Sequence, residues 1–103
     1  MASRLDLHEE LCNILGSRNV YFQPPESLKI KYPCIIYSKN NALSTYANNK
    51  NNYTKYDRYE IILIYKDPDS DLANDVLEHF GYCRLDRHYI VDNLYHDAFN
   101  LYY

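Results

Sequence analysis

Asp67, Asp69 and Asp71, with Glu78 behind them, match positions 1, 3, 5 and 12 of a calcium-binding loop. Such a loop wraps a hard cation in carboxylate and carbonyl oxygens, and its sharp turn requires glycine at position 6. Leu72 stands there, and the residues before Asp67 read as a strand where a helix is required. The acidic run is better read as the first turn of a helix, where side-chain oxygens cap free amides and anions suit the dipole. His79, His88 and His96, interspersed with Asp86, Asp92 and Asp97, offer the residue types of a metal or acid–base centre. Spacings of nine and eight place no two of these histidines on one helix face, and no His-Glu-x-x-His is present. His88 and His96 meet only in one register of a hairpin over residues 82–103, so surface or satisfied histidines are expected. Nucleophilic chemistry has no Gly-x-Ser-x-Gly elbow, and Gly16 and Gly81 alone cannot build a phosphate-cradling loop. The expectation is a chain that is not an enzyme, with no catalytic residues, no metal site and no cofactor.

Cys12, Cys34 and Cys83 are odd in number, lack a Cys-x-x-Cys pair and each lie in an apolar stretch. They read as buried, reduced thiols packing as small hydrophobes. Eleven Lys and Arg against fourteen Asp and Glu give a net charge of −3, with the basic residues scattered singly, which argues against a duplex nucleic-acid binder. Tyr53-Thr54-Lys55-Tyr56-Asp57-Arg58-Tyr59 interleaves aromatic and basic side chains as single-strand stacking platforms do. Asp57 and Glu60 dilute that patch, and Tyr with Arg equally marks protein interfaces. A small single-strand-binding module is therefore kept as an alternative from another class. Thirteen tyrosines in 103 residues exceed what one small core takes in, and a protein interface accommodates the remainder.

The elements that must position these residues follow from periodicity. Leu5, His8, Leu11, Cys12 and Leu15 make one stripe of a helix over 3–15, with Ser3 as N-cap and Gly16 just past its end. Val20–Gln23 is a short strand stopped by Pro24-Pro25. Residues 28–37 read as a second strand, with a free edge or bulge at Pro33, which cannot donate to a ladder. Residues 38–52 hold six asparagines and no Gly or Pro, a long loop of the kind that carries function. Tyr53–Lys66 alternates apolar residues on both faces and belongs in a sheet centre. Asp67–Ser70 starts a helix with Leu72, Val76, Leu77 and Phe80 on its buried face and Gly81 at its stop. Residues 82–103 form a hairpin turning at Asp92-Asn93. The sum is a single α+β domain over 1–103, of order α-β-β-β-α-β-β: a mainly antiparallel mixed sheet with two helices on one face. No apolar run reaches the roughly 20 residues of a membrane span, and residues 1–6 lack the apolar stretch of a signal peptide.

Val20-Tyr21-Phe22-Gln23-Pro24-Pro25, then Tyr32-Pro33-Cys34-Ile35-Ile36-Tyr37, then the Asn-rich stretch to Tyr53, resemble the small tail terminator proteins of long-tailed bacteriophages, often labelled tail-completion or minor capsid proteins. Asp67-Pro68-Asp69-Ser70 before a helix and the closing segment 92–103 are similar too. The likeness covers residues 4–103 and lies in the order of short motifs, with a departure at Tyr65-Lys66. The resemblance implies a structural virion protein forming a homo-oligomeric ring, generally a hexamer, which caps the tail tube, stops its polymerisation and meets the head connector. Implied partners are the major tail tube protein, the tape-measure protein and a head-completion or stopper protein. DNA would pass through the lumen without specific binding, and no membrane is involved. The implied location is the virion at the head–tail junction, with assembly in the host cytoplasm. The alternative within the particle is a head-completion or connector protein. Interface residues expected on length, polarity and aromatic load are Asn40, Asn41, Tyr46, Asn48, Asn49, Tyr53 and Tyr56, with Tyr21 and Phe22 as secondary candidates.

Overall fold

The computed structural model describes residues 4–23, 30–40 and 57–103. Helix α1 (Arg4–Leu15) buries Leu7, Leu11, Cys12 and Leu15. Leu7 occupies the place in the stripe expected of Leu5, which is 65% exposed. Positions 7, 11 and 15 recur every four residues and lie over the sheet, whereas Leu5 points off the first turn. Gly16 ends the helix at φ +79°, with its amide donating to the Cys12 carbonyl at 2.9 Å. This left-handed position suits glycine, which has no Cβ to clash. Ser3 lies outside the described residues.

Among the described residues five strands form one sheet of order β1-β2-β3-β5-β4. β1 (Val20–Phe22) runs parallel to β2 (Cys34–Asn40), and all other neighbours are antiparallel. β2 begins after Pro33 and runs between β1 and β3, so Pro33 needs neither the free edge nor the bulge expected of it; it precedes the ladder, on a cis peptide bond. The strand also extends through Ser38, Lys39 and Asn40, which pair with Glu60, Tyr59 and Arg58 and so belong to the sheet, not to a loop starting at 38. β3 (Arg58–Tyr65) is central, with Tyr59, Ile61, Leu63 and Tyr65 buried on one side. The part of the expected strand over 53–56 lies outside the described residues. β4 (Cys83–Val91) and β5 (Leu94–Tyr102) form the closing hairpin. Its turn residues Asp92 and Asn93 adopt φ of 53° and 64°, the mirror-image turn that matches strand twist.

Helix α2 (Leu72–His79) follows β3. Asp71 occupies its N-cap position but makes no side-chain capping bond. The acidic run instead folds on itself: the Asp67 carboxylate accepts from the Asp69 amide at 2.9 Å, and Ser70 Oγ accepts from the Leu72 amide at 3.3 Å. The helix ends at Phe80, whose extended backbone turns the chain before Gly81 is reached. Val76 and Phe80 join Leu7, Leu11 and Leu15 with Ile35, Tyr37, Ile61, Leu63, Phe99 and Leu101 in one core between both helices and one sheet face. Burying an aliphatic or Phe side chain contributes roughly 1.5–3 kcal/mol each, so this layer holds the helices down.

Candidate protein-association surface

Strand β4 is the feature the core leaves uncovered. Its nine residues form one end of the sheet, and seven of them are exposed. Helix packing reaches Cys83, after which Leu85 is 46% exposed, Ile90 60% and Val91 47%; Tyr82, just ahead of the strand, is 61% exposed. One backbone edge of β4 bonds to β5 and the other has no strand beside it among the described residues. Edge strands of this length template pairing with another chain unless charge or irregularity restrains them. β4 carries both restraints: Arg84, Asp86 and Arg87, and a bulge between Leu85 and Arg87 that leaves Asp86 as the extra residue. Arg87 pairs with Asp86 at 3.2 Å and lies 3.9 Å from Glu60.

A buried polar cluster anchors this rim to the rest of the sheet. Asp97 on β5 is 4% exposed yet lies in the row between Tyr95 and Phe99 that faces the helices. Tyr65 Oη donates to Asp97 Oδ2 at 2.7 Å, and His88 Nδ1 on β4 donates to the other carboxylate oxygen. The rings of His88 and Tyr65 each stack on Tyr95, at 6.0 and 5.4 Å and within 22° of parallel. Burial, then the bond to Asp97, raises the Tyr65 hydroxyl to about 12. This arrangement turns His88 Nε2 away from the carboxylate. The register also places His88 opposite Asp97 and His96 opposite Tyr89, so these two histidines lie on opposite faces of the sheet. His79 pairs instead with Glu10 of α1 at 2.8 Å. Glu10 also accepts from the Tyr103 hydroxyl, which burial and that bond push upward. No group of three metal-ligating side chains occurs among the described residues.

At the opposite end of the core, Tyr37 is 1% exposed and its hydroxyl has two partners, Arg4 at 3.3 Å and His8 Nδ1 at 2.8 Å. The arginine can only donate, so the phenol oxygen accepts from it, and the direction of the Tyr37–His8 bond follows the imidazole tautomer. Burial first, then Arg18 and Arg4, lowers the His8 pKa from its ordinary value. All three cysteines are free, Cys12 and Cys34 buried and Cys83 half-buried. Burial pushes the Cys34 and Cys83 thiols up to about 11. A cleft of about 260 Å³ lies between Tyr32, Pro33, Tyr65, Lys66 and Leu72, below the roughly 300–1,000 Å³ of ligand pockets.

Of the residues singled out in the sequence, Tyr21 is half-buried on β1, aligned with Ile36. Phe22 packs against Tyr37 at 5.0 Å, with the Arg4 guanidinium 4.4 Å above its ring, and so belongs to the core margin. Asn40 ends β2, paired with Arg58. Asn41, Tyr46, Asn48, Asn49, Tyr53 and Tyr56 lie outside the described residues. The rim residues Tyr82, Leu85, Ile90 and Val91 were not singled out. Their only signal is an apolar share on both sides of a strand otherwise rich in charge, which does not say whether the strand is central or terminal. No family model matches the chain, and neither a curated protein nor a solved structure is found to match it.

Proposed function

We propose that the chain is a structural assembly subunit that works by protein association, a tail terminator that closes into a ring on the phage tail tube. The observation that carries the reading is the β4 rim, which leaves Leu85, Ile90 and Val91 in solvent at one end of the sheet. Exposed apolar strands in a small domain mark interaction sites. The order of the motifs along the chain supports the terminator assignment, and the α+β domain with helices on one face is compatible with it. In this role the ring stops tube growth, meets the tape-measure and head-completion proteins, and passes DNA through its lumen without specific binding, as suits a net acidic subunit. The subunit performs no catalysis and needs no cofactor.

Adding the purified chain to polymerising tube protein tests the reading. Arrest of growth with bound chain at one tube end is expected. Tubes of unchanged length overturn it, and normal tubes with leaking heads in particles lacking the chain assign it to head completion instead. Binding to single-stranded DNA that falls steeply with salt would establish the single-strand-binding alternative.

A further inference from the structure

We infer that the free edge of β4 pairs antiparallel with the β4 of a second copy of this chain, giving a two-fold symmetric dimer with a continuous ten-stranded sheet. Length is the first reason. Among the described residues the sheet has two ends, β1 with three residues and β4 with nine, so a β1 edge satisfies only a third of β4 while a second β4 matches it throughout.

Register is the second. Cys83, Leu85, His88 and Ile90 share the helix side, opposite Leu101, Phe99, Asp97 and Tyr95; Arg84, Arg87, Tyr89 and Val91 share the outer side. Paired residues in adjoining strands must share a face. Because the bulge shifts the alternation, this holds when Asp86 of each copy faces Arg87 of the other. Leu85 then lies opposite His88, Arg84 opposite Tyr89, Cys83 opposite Ile90 and Tyr82 opposite Val91. Every pairing occurs twice, as an isologous contact requires. Ile90 and Val91 meet Cys83 and Tyr82, Leu85 meets the His88 ring, and the two central pairs join opposite charges. A shift one way sets Arg84 opposite Arg87, like charges. A shift the other way sets Arg87 against His88, which lie on different faces. The charges and bulge that discourage pairing with other strands thus select one partner and one register.

The pairing uses the same β4 rim as the proposed ring contact, so the two states exclude each other. It sets two copies head to head, so for a ring whose two rims differ it is the form held before assembly, and it opens before the ring closes.

Light scattering on the full chain across a concentration series tests the inference, with a dimer expected. Asp86→Arg sets arginine against Arg87, and Arg87→Asp sets aspartate against Asp86, so each variant alone should read half the parent mass. An equimolar mixture of the two restores both opposite-charge pairs and should return the dimer mass. A parent chain monomeric at every concentration overturns the inference, as do variants that remain dimeric or a mixture that stays monomeric. If either variant fails to fold by circular dichroism, amide exchange of the parent decides: protection over 83–91 that rises with concentration supports the pairing, and concentration-independent exchange refutes it. A monomeric parent leaves tube capping untouched, and a failure to cap leaves the dimer untouched.

Discussion

Replacing Tyr65 by Phe removes one oxygen from a core that has an acidic group to satisfy. Tyr65 and Asp97 are 9% and 4% exposed, so water cannot replace the lost 2.7 Å bond without opening the sheet. A hydrogen bond to a charged group contributes about 1.5–3 kcal/mol, and the ring itself is retained against Tyr95. The expected cost is therefore about 2 kcal/mol, equivalent to about 8–16 °C in Tm for a domain of this size. Urea unfolding followed by circular dichroism, with the slope unchanged, measures it. Asp97→Ala should cost more, since it strips both Tyr65 and His88 of their acceptor. In that background Tyr65→Phe should cost little, leaving a coupling of about 1–2 kcal/mol between the two sites. The loss should also appear as faster amide exchange in β4, because His88 is tied to β5 through the same carboxylate. A Tyr65→Phe cost below about 0.5 kcal/mol, or additive single and double variants, would refute the assignment of Asp97 as a buried acceptor that holds the rim.

Two further outcomes follow from titratable groups shifted by burial. The lowered pKa of His8 means the unfolded chain binds its proton more readily than the folded one, so this contribution is complete above about pH 6.5 and is lost as pH falls through the lower folded value. His8→Gln, which can donate to or accept from Tyr37, should flatten the fall in unfolding midpoint over that window; an unchanged pH slope would dismiss the role of His8. With Cys34 and Cys83 raised to about 11, roughly a thousandth of each is thiolate at pH 8, so an aromatic disulfide reagent should react slowly with the folded chain and promptly with three thiols in urea. One fast thiol in the native protein would show a cysteine outside the core.

The order of elements was legible because each has a local cause. Apolar repeats set α1 and α2, two-sided apolar alternation in Tyr59–Tyr65 marks a central strand, and Asp92-Asn93 can adopt the positive φ of a hairpin turn. Local pattern was less decisive at margins. Leu5 and Leu7 both suit a helical stripe, and the position of the sheet beneath the helix selects Leu7. Ser38, Lys39 and Asn40 have loop composition, yet pairing with β3 draws them into the ladder.

The exposed rim was harder to see for the same reason. Leu85, Ile90 and Val91 look like core residues in sequence, and they are exposed because β5 inserts between β3 and β4 and places β4 at the end. His88, Asp97 and Tyr65 are separated by up to 32 residues, and the hairpin register together with the β3–β5 pairing brings them together. The amino-acid sequence by itself determined which segments are helix and strand, since propensity and alternation act over a few residues. Only the tertiary structure decided which strand ends the sheet and which buried carboxylate holds it, because strand order and cross-strand register are set by long-range packing that no local pattern encodes.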